Sequence, residues 1–123
     1  MTKAHRSRAA ALIAAAFLAA GMAMVPAAPA SATSVVRGVG THWSPVATSI
    51  LRGGSVRWSA VSNEHQVKAY GGNWSYRSRL LQPGQSTLAK TFSTRGTFRF
   101  YCLIHGSLVN GVCHGMCGRI VVT

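Results

Sequence analysis

The sequence has almost no acidic residues. Its 123 residues include thirteen Lys and Arg but a single acid, Glu64, and no Asp, which gives a formal net charge of +12. This composition excludes a catalytic carboxylate pair of the kind most glycoside hydrolases use, an EF-hand calcium loop and a Ser-His-Asp triad. With 48% hydrophobic residues the chain is also too apolar for a disordered basic tail. Its length is that of one domain.

The N-terminal quarter has the order of regions found in a secretory signal peptide. Three cations before residue 9 precede an uncharged, Ala-rich run to residue 25, and Ala30-Ser31-Ala32 follows as a small-x-small cleavage site. The run is shorter than the ~20 apolar residues of a membrane span. We therefore expect a signal peptide over residues 1–32, with cleavage near Ala32. The mature domain, residues 33–123, is then secreted or held at the cell envelope without a transmembrane segment, and disulfides persist there.

The mature segment has the pattern of short β-strands separated by turn residues. Apolar and polar residues alternate, as in Val56, Trp58 and Ala60, and such alternation is typical of strands with one face on a core. About seven to eight short strands in roughly 90 residues predict an all-β sandwich or barrel. The predicted strands are residues 34–40, 46–51, 55–61, 65–69, 86–92, 97–102 and 118–122.

The C-terminal third concentrates sulfur and imidazole donors. All three cysteines lie there, with two histidines, Met116 and no acid, which favours a soft or borderline transition metal over Mg²⁺ or Ca²⁺. Cys102 and His105 can face one ion across a turn, and His65 is the best candidate for a second imidazole. With Met116 as a long axial ligand, these residues make the His₂Cys set of electron-transfer copper sites.

Two features of this region leave alternatives open. Ten residues separate His105 from Met116, so His114 is an alternative metal ligand in place of Met116. Cys113 and Cys117 can close a disulfide over a three-residue loop if their Cα separation allows it. Together with Cys102, His105 and His114, the same cysteines could instead form a tetrahedral zinc site.

Several motifs follow one another in a recognisable order: Trp43-Ser44-Pro45, Gly53 to Trp58, His65-Gln66-Val67, Pro83-Gly84, Gly96 to Cys102 and Met116 to Val122. This order resembles the cupredoxin family, specifically the small secreted plastocyanin-like and azurin-like bacterial blue copper proteins. The resemblance covers nearly all of residues 33–123. It implies a Greek-key β-sandwich that holds one copper ion through His65, Cys102, His105 and Met116.

The resemblance implies a secreted mononuclear (type 1, blue) copper protein that carries one electron and is not an enzyme, since the chain has no His-x-His pair for a second copper cluster. Copper capture, storage or delivery is the alternative that extra donors at Cys113, His114 and Cys117 favour. A zinc- or disulfide-stabilised extracellular structural domain is a further one. The Arg-rich cations favour an acidic redox partner or an anionic envelope surface, while their scatter and the export signal argue against nucleic-acid binding.

Overall fold

The computed structural model describes residues 20–23 and 32–123, so the segment interpreted as a signal peptide lies almost wholly outside the described residues. None of the described residues is helical, and none of them forms a helix that could cross a membrane. The described chain forms eight strands: β1 (Thr33–Val39), β2 (His42–Ser44), β3 (Ala47–Ile50), β4 (Ser55–Ala60), β5 (Val67–Tyr70), β6 (Lys90–Thr91), β7 (Gly96–Val109) and β8 (Val112–Val122).

The strands form two mixed sheets of four strands each. The order is β2-β1-β4-β6 in the first sheet and β3-β8-β7-β5 in the second. The pairs β1–β4 and β3–β8 are parallel, and the other pairs are antiparallel. The two sheets share one hydrophobic core. The predicted all-β Greek-key sandwich of seven to eight strands is therefore confirmed.

The core between the sheets is rich in aromatic rings. Phe100 of β7 is fully buried and meets Trp43 and Trp58 edge-on, at centroid distances of 5.5 and 5.3 Å. Such edge-to-face pairs stabilise a core beyond their buried area. Trp74 and Tyr76 lie in an irregular segment, but both stack on Trp58 and are only half exposed. The indole of Trp58 thus joins this segment to the core.

The predicted strand at residues 86–92 is wrong over most of its length, because only Lys90–Thr91 forms a strand. Thr87 supplies the reason. Its hydroxyl accepts a hydrogen bond from the Trp58 N–H at 3.1 Å, while its own N–H donates to the Trp58 carbonyl at 2.9 Å. A side-chain hydroxyl that replaces a backbone carbonyl in this way interrupts a regular ladder.

The two C-terminal strands run far beyond their predicted bounds. β7 continues to Val109 instead of ending at residue 102, and β8 begins at Val112 instead of residue 118. Asn110 and Gly111 join them at φ values of 51° and 76°, as in a two-residue hairpin turn. An Asn-Gly pair between apolar residues is a known hairpin signal. We call residues 106–115, the end of this hairpin, the arm.

Two isoleucines allow a matched test of the sandwich core. Ile120 is fully buried, whereas Ile104 is 46% exposed. We expect Ile120→Val to lower the free energy of unfolding by about 0.5–1.5 kcal/mol because it removes one packed methylene. Ile104→Val should change it by less than about 0.5 kcal/mol. Urea unfolding of the metal-free protein, followed by tryptophan fluorescence, measures both, and equal losses would contradict the assigned core.

Candidate metal centre

Three of the predicted donors lie together. The Cys102 Sγ atom is 3.8 Å from Nδ1 of His65 and 3.7 Å from Nδ1 of His105. One ligand atom from each of the three residues lies within 4.8 Å of the others. The side chains of His65 and Cys102 are fully buried, and that of His105 is half-buried. The three residues are therefore arranged to hold one metal ion.

The sheet that contains β5 and β7 brings these residues together from distant parts of the sequence. Val67 of β5 pairs with Cys102 of β7, and the N–H of Leu103 donates to the Gln66 carbonyl at 3.0 Å. Beyond Tyr101 the ladder between β7 and β8 loses its register until Gly106. Such a bulge re-aims side chains. We call residues 102–105 the bulge; it carries both Cys102 and His105.

Hydrogen bonds fix the backbone and the ring of His65. The backbone of His65 exchanges two hydrogen bonds with Leu81, at 3.0 and 2.7 Å. The ring Nε2 lies 2.7 Å from the Ser62 carbonyl. Because a carbonyl only accepts, Nε2 must carry the hydrogen, and the neutral ring then presents the Nδ1 lone pair toward Cys102. This tautomer is the one that a metal at the cluster requires.

Burial also keeps the His65 ring neutral. Desolvation lowers the pKa of His65 from its ordinary value of 6.5, and the neighbouring His105 lowers this pKa further. Hydrogen bonds to the backbone of Ser62 and Gly38 oppose both effects. A neutral imidazole is the form that binds metal, so the environment of His65 prepares it as a ligand.

Gly38 of β1 makes room for the His65 ring. A Cβ atom at Gly38 would lie 2.5 Å from Cδ2 of that ring. The Gly38 carbonyl also accepts hydrogen bonds from the N–H groups of Val61 and Ser62, at 2.9 and 3.4 Å. Sequence reasoning missed Gly38 and Ser62. A glycine inside a strand pattern was the available signal, because it often marks a close approach of neighbouring groups.

Met116 and His114 lie in different environments. Met116 is 1% exposed and belongs to the same buried cluster as Cys102. Its two neighbours in β8 pair with residues on either side of the bulge: Cys117 with Tyr101, and Gly115 with Gly106. Met116 therefore lies opposite the bulge. His114 is exposed on the arm. The position of Met116 thus suits a fourth ligand, and the exposure of His114 does not.

Cys113 and Cys117 form a disulfide, with a Cα–Cα distance of 6.1 Å. The predicted pairing is confirmed. Among the described residues, Cys102 is the one free cysteine. The disulfide removes two thiolates from the alternative zinc set of Cys102, His105, Cys113, His114 and Cys117, because sulfur atoms bonded to each other cannot bind a metal as thiolates.

The chain is similar in structure to solved copper proteins that include cupredoxins. No protein-family model matches the chain, and no curated protein matches it significantly. A copper-containing nitrite reductase from Thermus scotoductus SA-01 is 20% identical with a TM-score of 0.62, over 75% of this chain and 22% of that one. An oxidised amicyanin mutant is 19% identical with a TM-score of 0.61, over 74% and 82%. A purple cupredoxin from Nitrosopumilus maritimus is 20% identical with a TM-score of 0.56, over 73% and 99%.

The chain therefore has the cupredoxin fold, and the resemblance that its motifs indicated is confirmed at the level of the fold. It spans about a fifth of the nitrite reductase chain and most of amicyanin. Within this fold, His65, Cys102 and His105 form a cluster suited to one metal ion.

The close contact at Gly38 gives a test of the cluster. We expect Gly38→Ala to weaken Cu²⁺ and Zn²⁺ binding about 10–100-fold, the range typical of changes to groups that orient a metal ligand, because the added methyl group would displace the His65 ring. Isothermal titration calorimetry measures this loss. Gly40→Ala is the control: a Cβ there meets nothing within 4 Å, although its φ of +59° costs some stability. Unchanged affinity in Gly38→Ala would contradict the contact.

The lowered pKa of His65 predicts how stability depends on pH. Below about pH 6.5 the unfolded chain takes up a proton at His65 that the folded protein resists. The stability of the metal-free protein is therefore complete above about pH 6.5 and falls with decreasing pH, by at most about 1.4 kcal/mol per pH unit, until the lowered pKa is passed. Urea unfolding between about pH 7.5 and 5 measures the slope. His65→Gln should flatten it and the exposed-site variant His42→Gln should not; the opposite result would refute the assignment.

Proposed function

We propose that this protein is a secreted mononuclear (type 1) copper protein that carries one electron at a time. One observation carries the proposal: two imidazole nitrogens and one thiol sulfur, from segments 37 residues apart in sequence, meet within 4.8 Å inside a cupredoxin fold. The signal-peptide pattern of residues 1–32 supports export.

The donor set fits copper. Metal bonds of about 2.3 Å to sulfur and about 2.0 Å to nitrogen let a single ion reach both atoms of pairs that are 3.7 and 3.8 Å apart. Two imidazoles with one thiolate, and a thioether as a weak fourth ligand, are the donors of blue-copper electron-transfer sites. We assign His65, Cys102 and His105 as ligands and Met116 as the axial ligand.

Bound copper would supply a one-electron couple between Cu(I) and Cu(II). The residues of the chain would shield the ion and hold its ligands in place. Cys102 and His65 are fully buried, so water is kept from the donors, and the bond from His65 to the Ser62 carbonyl holds the ring in place whatever the oxidation state. His105 is half-buried, and its ring connects the buried thiolate with the surface. We propose this ring as the point where the electron enters and leaves.

Copper capture, storage or delivery by the same fold is the second candidate. Its supporting observation was a surplus of soft donors at Cys113, His114 and Cys117. The disulfide takes both cysteines out of that set, and His114 is exposed on the arm.

We also propose that the protein is not an enzyme. Glu64 is the only acid in the chain, so there is no carboxylate pair for acid–base catalysis.

Charge suggests the kind of partner. Between residues 33 and 123 the chain has ten Lys and Arg residues and one acid. A surface of this sign attracts acidic partners and anionic envelope surfaces, and raises the rate of encounter at low ionic strength. We therefore propose an acidic redox partner.

A copper titration tests the proposed function. Adding Cu²⁺ to the purified protein should produce an intense visible band from thiolate-to-copper charge transfer, at a stoichiometry of one copper per chain. Cys102→Ser should abolish the band, since no other thiolate is free. His114→Gln, which changes an exposed imidazole, is the matched control and should keep it.

The same titration separates the alternatives. A colourless protein that holds Cu(I) tightly would favour capture or delivery over electron transfer. Tight zinc binding without any copper band would overturn both copper functions.

A further inference from the structure

The disulfide spans a sharp bend within β8. Cys113 and Cys117 belong to the same strand, where four residues of extended chain would cover about 13 Å. Their Cα atoms are only 6.1 Å apart. Gly115, midway between them, has a φ of +84°, a conformation that glycine adopts at little cost. The disulfide therefore links the two sides of a bend in the strand.

The bend is packed directly against the bulge of β7. A Cβ atom at Gly115 would lie 2.5 Å from the His105 carbonyl oxygen, and one at Gly106 would lie 3.0 Å from the Cys102 carbonyl and 3.2 Å from that of Met116. Both contacts are between backbones, which only glycine allows at such distances. Any opening of the bend therefore changes the position of the segment that carries Cys102 and His105.

Apart from the packing of Met116, little else among the described residues holds the bend in place. In the described part of the chain, β5 pairs with β7 only up to Cys102, and β3 pairs with β8 only from Arg119 onward. Between these limits, one backbone hydrogen bond leaves the hairpin, from the Leu103 N–H to the Gln66 carbonyl, and the residues of the bend make none. No Lys, Arg, Asp or Glu lies between Arg99 and Arg119, so no ion pair can hold it either. The disulfide is the one covalent constraint on this segment.

We propose that the Cys113–Cys117 disulfide is a positioning element for Met116, which it holds beneath the bulge at a fixed distance from the His65, Cys102 and His105 donors. Met116 is one of the three residues between the bonded cysteines, and its side chain is 1% exposed. The role of the disulfide toward copper rests on the proposed function. Its role in burying Met116 does not.

The metal-free protein gives the first test. Hydrogen peroxide converts a thioether to a sulfoxide at a rate that follows the exposure of the sulfur. We expect Cys113→Ser/Cys117→Ser to raise the rate of Met116 oxidation roughly tenfold or more, because removing a cross-link lets the bend open locally. Peptide mass spectrometry measures the sulfoxide at Met116. Ile120→Val, which lowers stability without touching the bend, should leave the rate within about twofold.

The copper-loaded protein gives the second test. Met116→Leu removes the thioether completely. It therefore shows how far the visible spectrum and the reduction potential shift when the axial ligand is lost, since this ligand tunes both. The double serine variant should shift both in the same direction as Met116→Leu, whereas Ile120→Val should shift neither. A disulfide that only adds stability would not move the spectrum.

The outcomes are distinct. A double variant with wild-type Met116 oxidation and a wild-type spectrum overturns the positioning role and leaves the copper function intact. A wild-type protein without a copper band overturns the proposed function, and Met116 oxidation in the metal-free protein still decides whether the disulfide buries this residue. If the double variant does not fold, the wild-type protein is used instead, after dithiothreitol has reduced the disulfide to two thiols and these have been alkylated. Unchanged Met116 oxidation in that protein also refutes the proposal.

Discussion

The contact between the buried imidazole of His65 and the buried thiol of Cys102 is the constraint on which the rest of the site depends. Polar groups removed from water need partners, and here the ring has one on each side: the Ser62 carbonyl at Nε2 and the Cys102 sulfur near Nδ1. The space for the ring exists because Gly38 has no side chain. A strand from each sheet therefore contributes to the cluster, which ties the packing of the whole sandwich to the position of the donors.

The sequence was sufficient to predict the sandwich and the three converging donors, because these depend on strong local patterns. Alternation in residues 55–60, and again from Thr97 to Phe100, identifies half-buried strands. The Cys102-x-x-His105 spacing, together with His65, indicates donors for a single metal ion. The arm was not predicted, because most of its residues are exposed and give no alternating signal, and the hairpin signal of Asn110-Gly111 was missed. The strand at residues 86–92 failed for a different reason: the Thr87 hydroxyl replaces a backbone acceptor, and residue preferences do not reveal such tertiary contacts.

The disulfide changes how the donor-rich segment is understood. From composition alone, three cysteines and two histidines within a short stretch suggest several metals and several functions. Once Cys113 and Cys117 are bonded to each other, the free soft donors near the cluster are reduced to Cys102 and Met116, and both are buried. A small set of buried donors agrees better with the proposed electron transfer than with accumulation of metal. A redox metal is kept in one geometry and shielded from solvent, whereas a metal that is stored or delivered has to be exchanged.

The charged side chains and most of the proposed ligands lie in different parts of the chain. Three of the four assigned ligands lie between Arg99 and Arg119, a segment without a single charged side chain. A partner that approaches His105 through this segment therefore displaces water from uncharged groups, which costs much less than the desolvation of ions. The cations elsewhere in the chain act over a Debye length of ~8–10 Å in physiological salt. They can therefore attract and orient an acidic partner without being part of the contact. On the proposed function, the scarcity of acid thus sets the sign of the partner that the surface attracts, while the segment that carries three of the proposed ligands adds no Lys, Arg, Asp or Glu side chain to the contact.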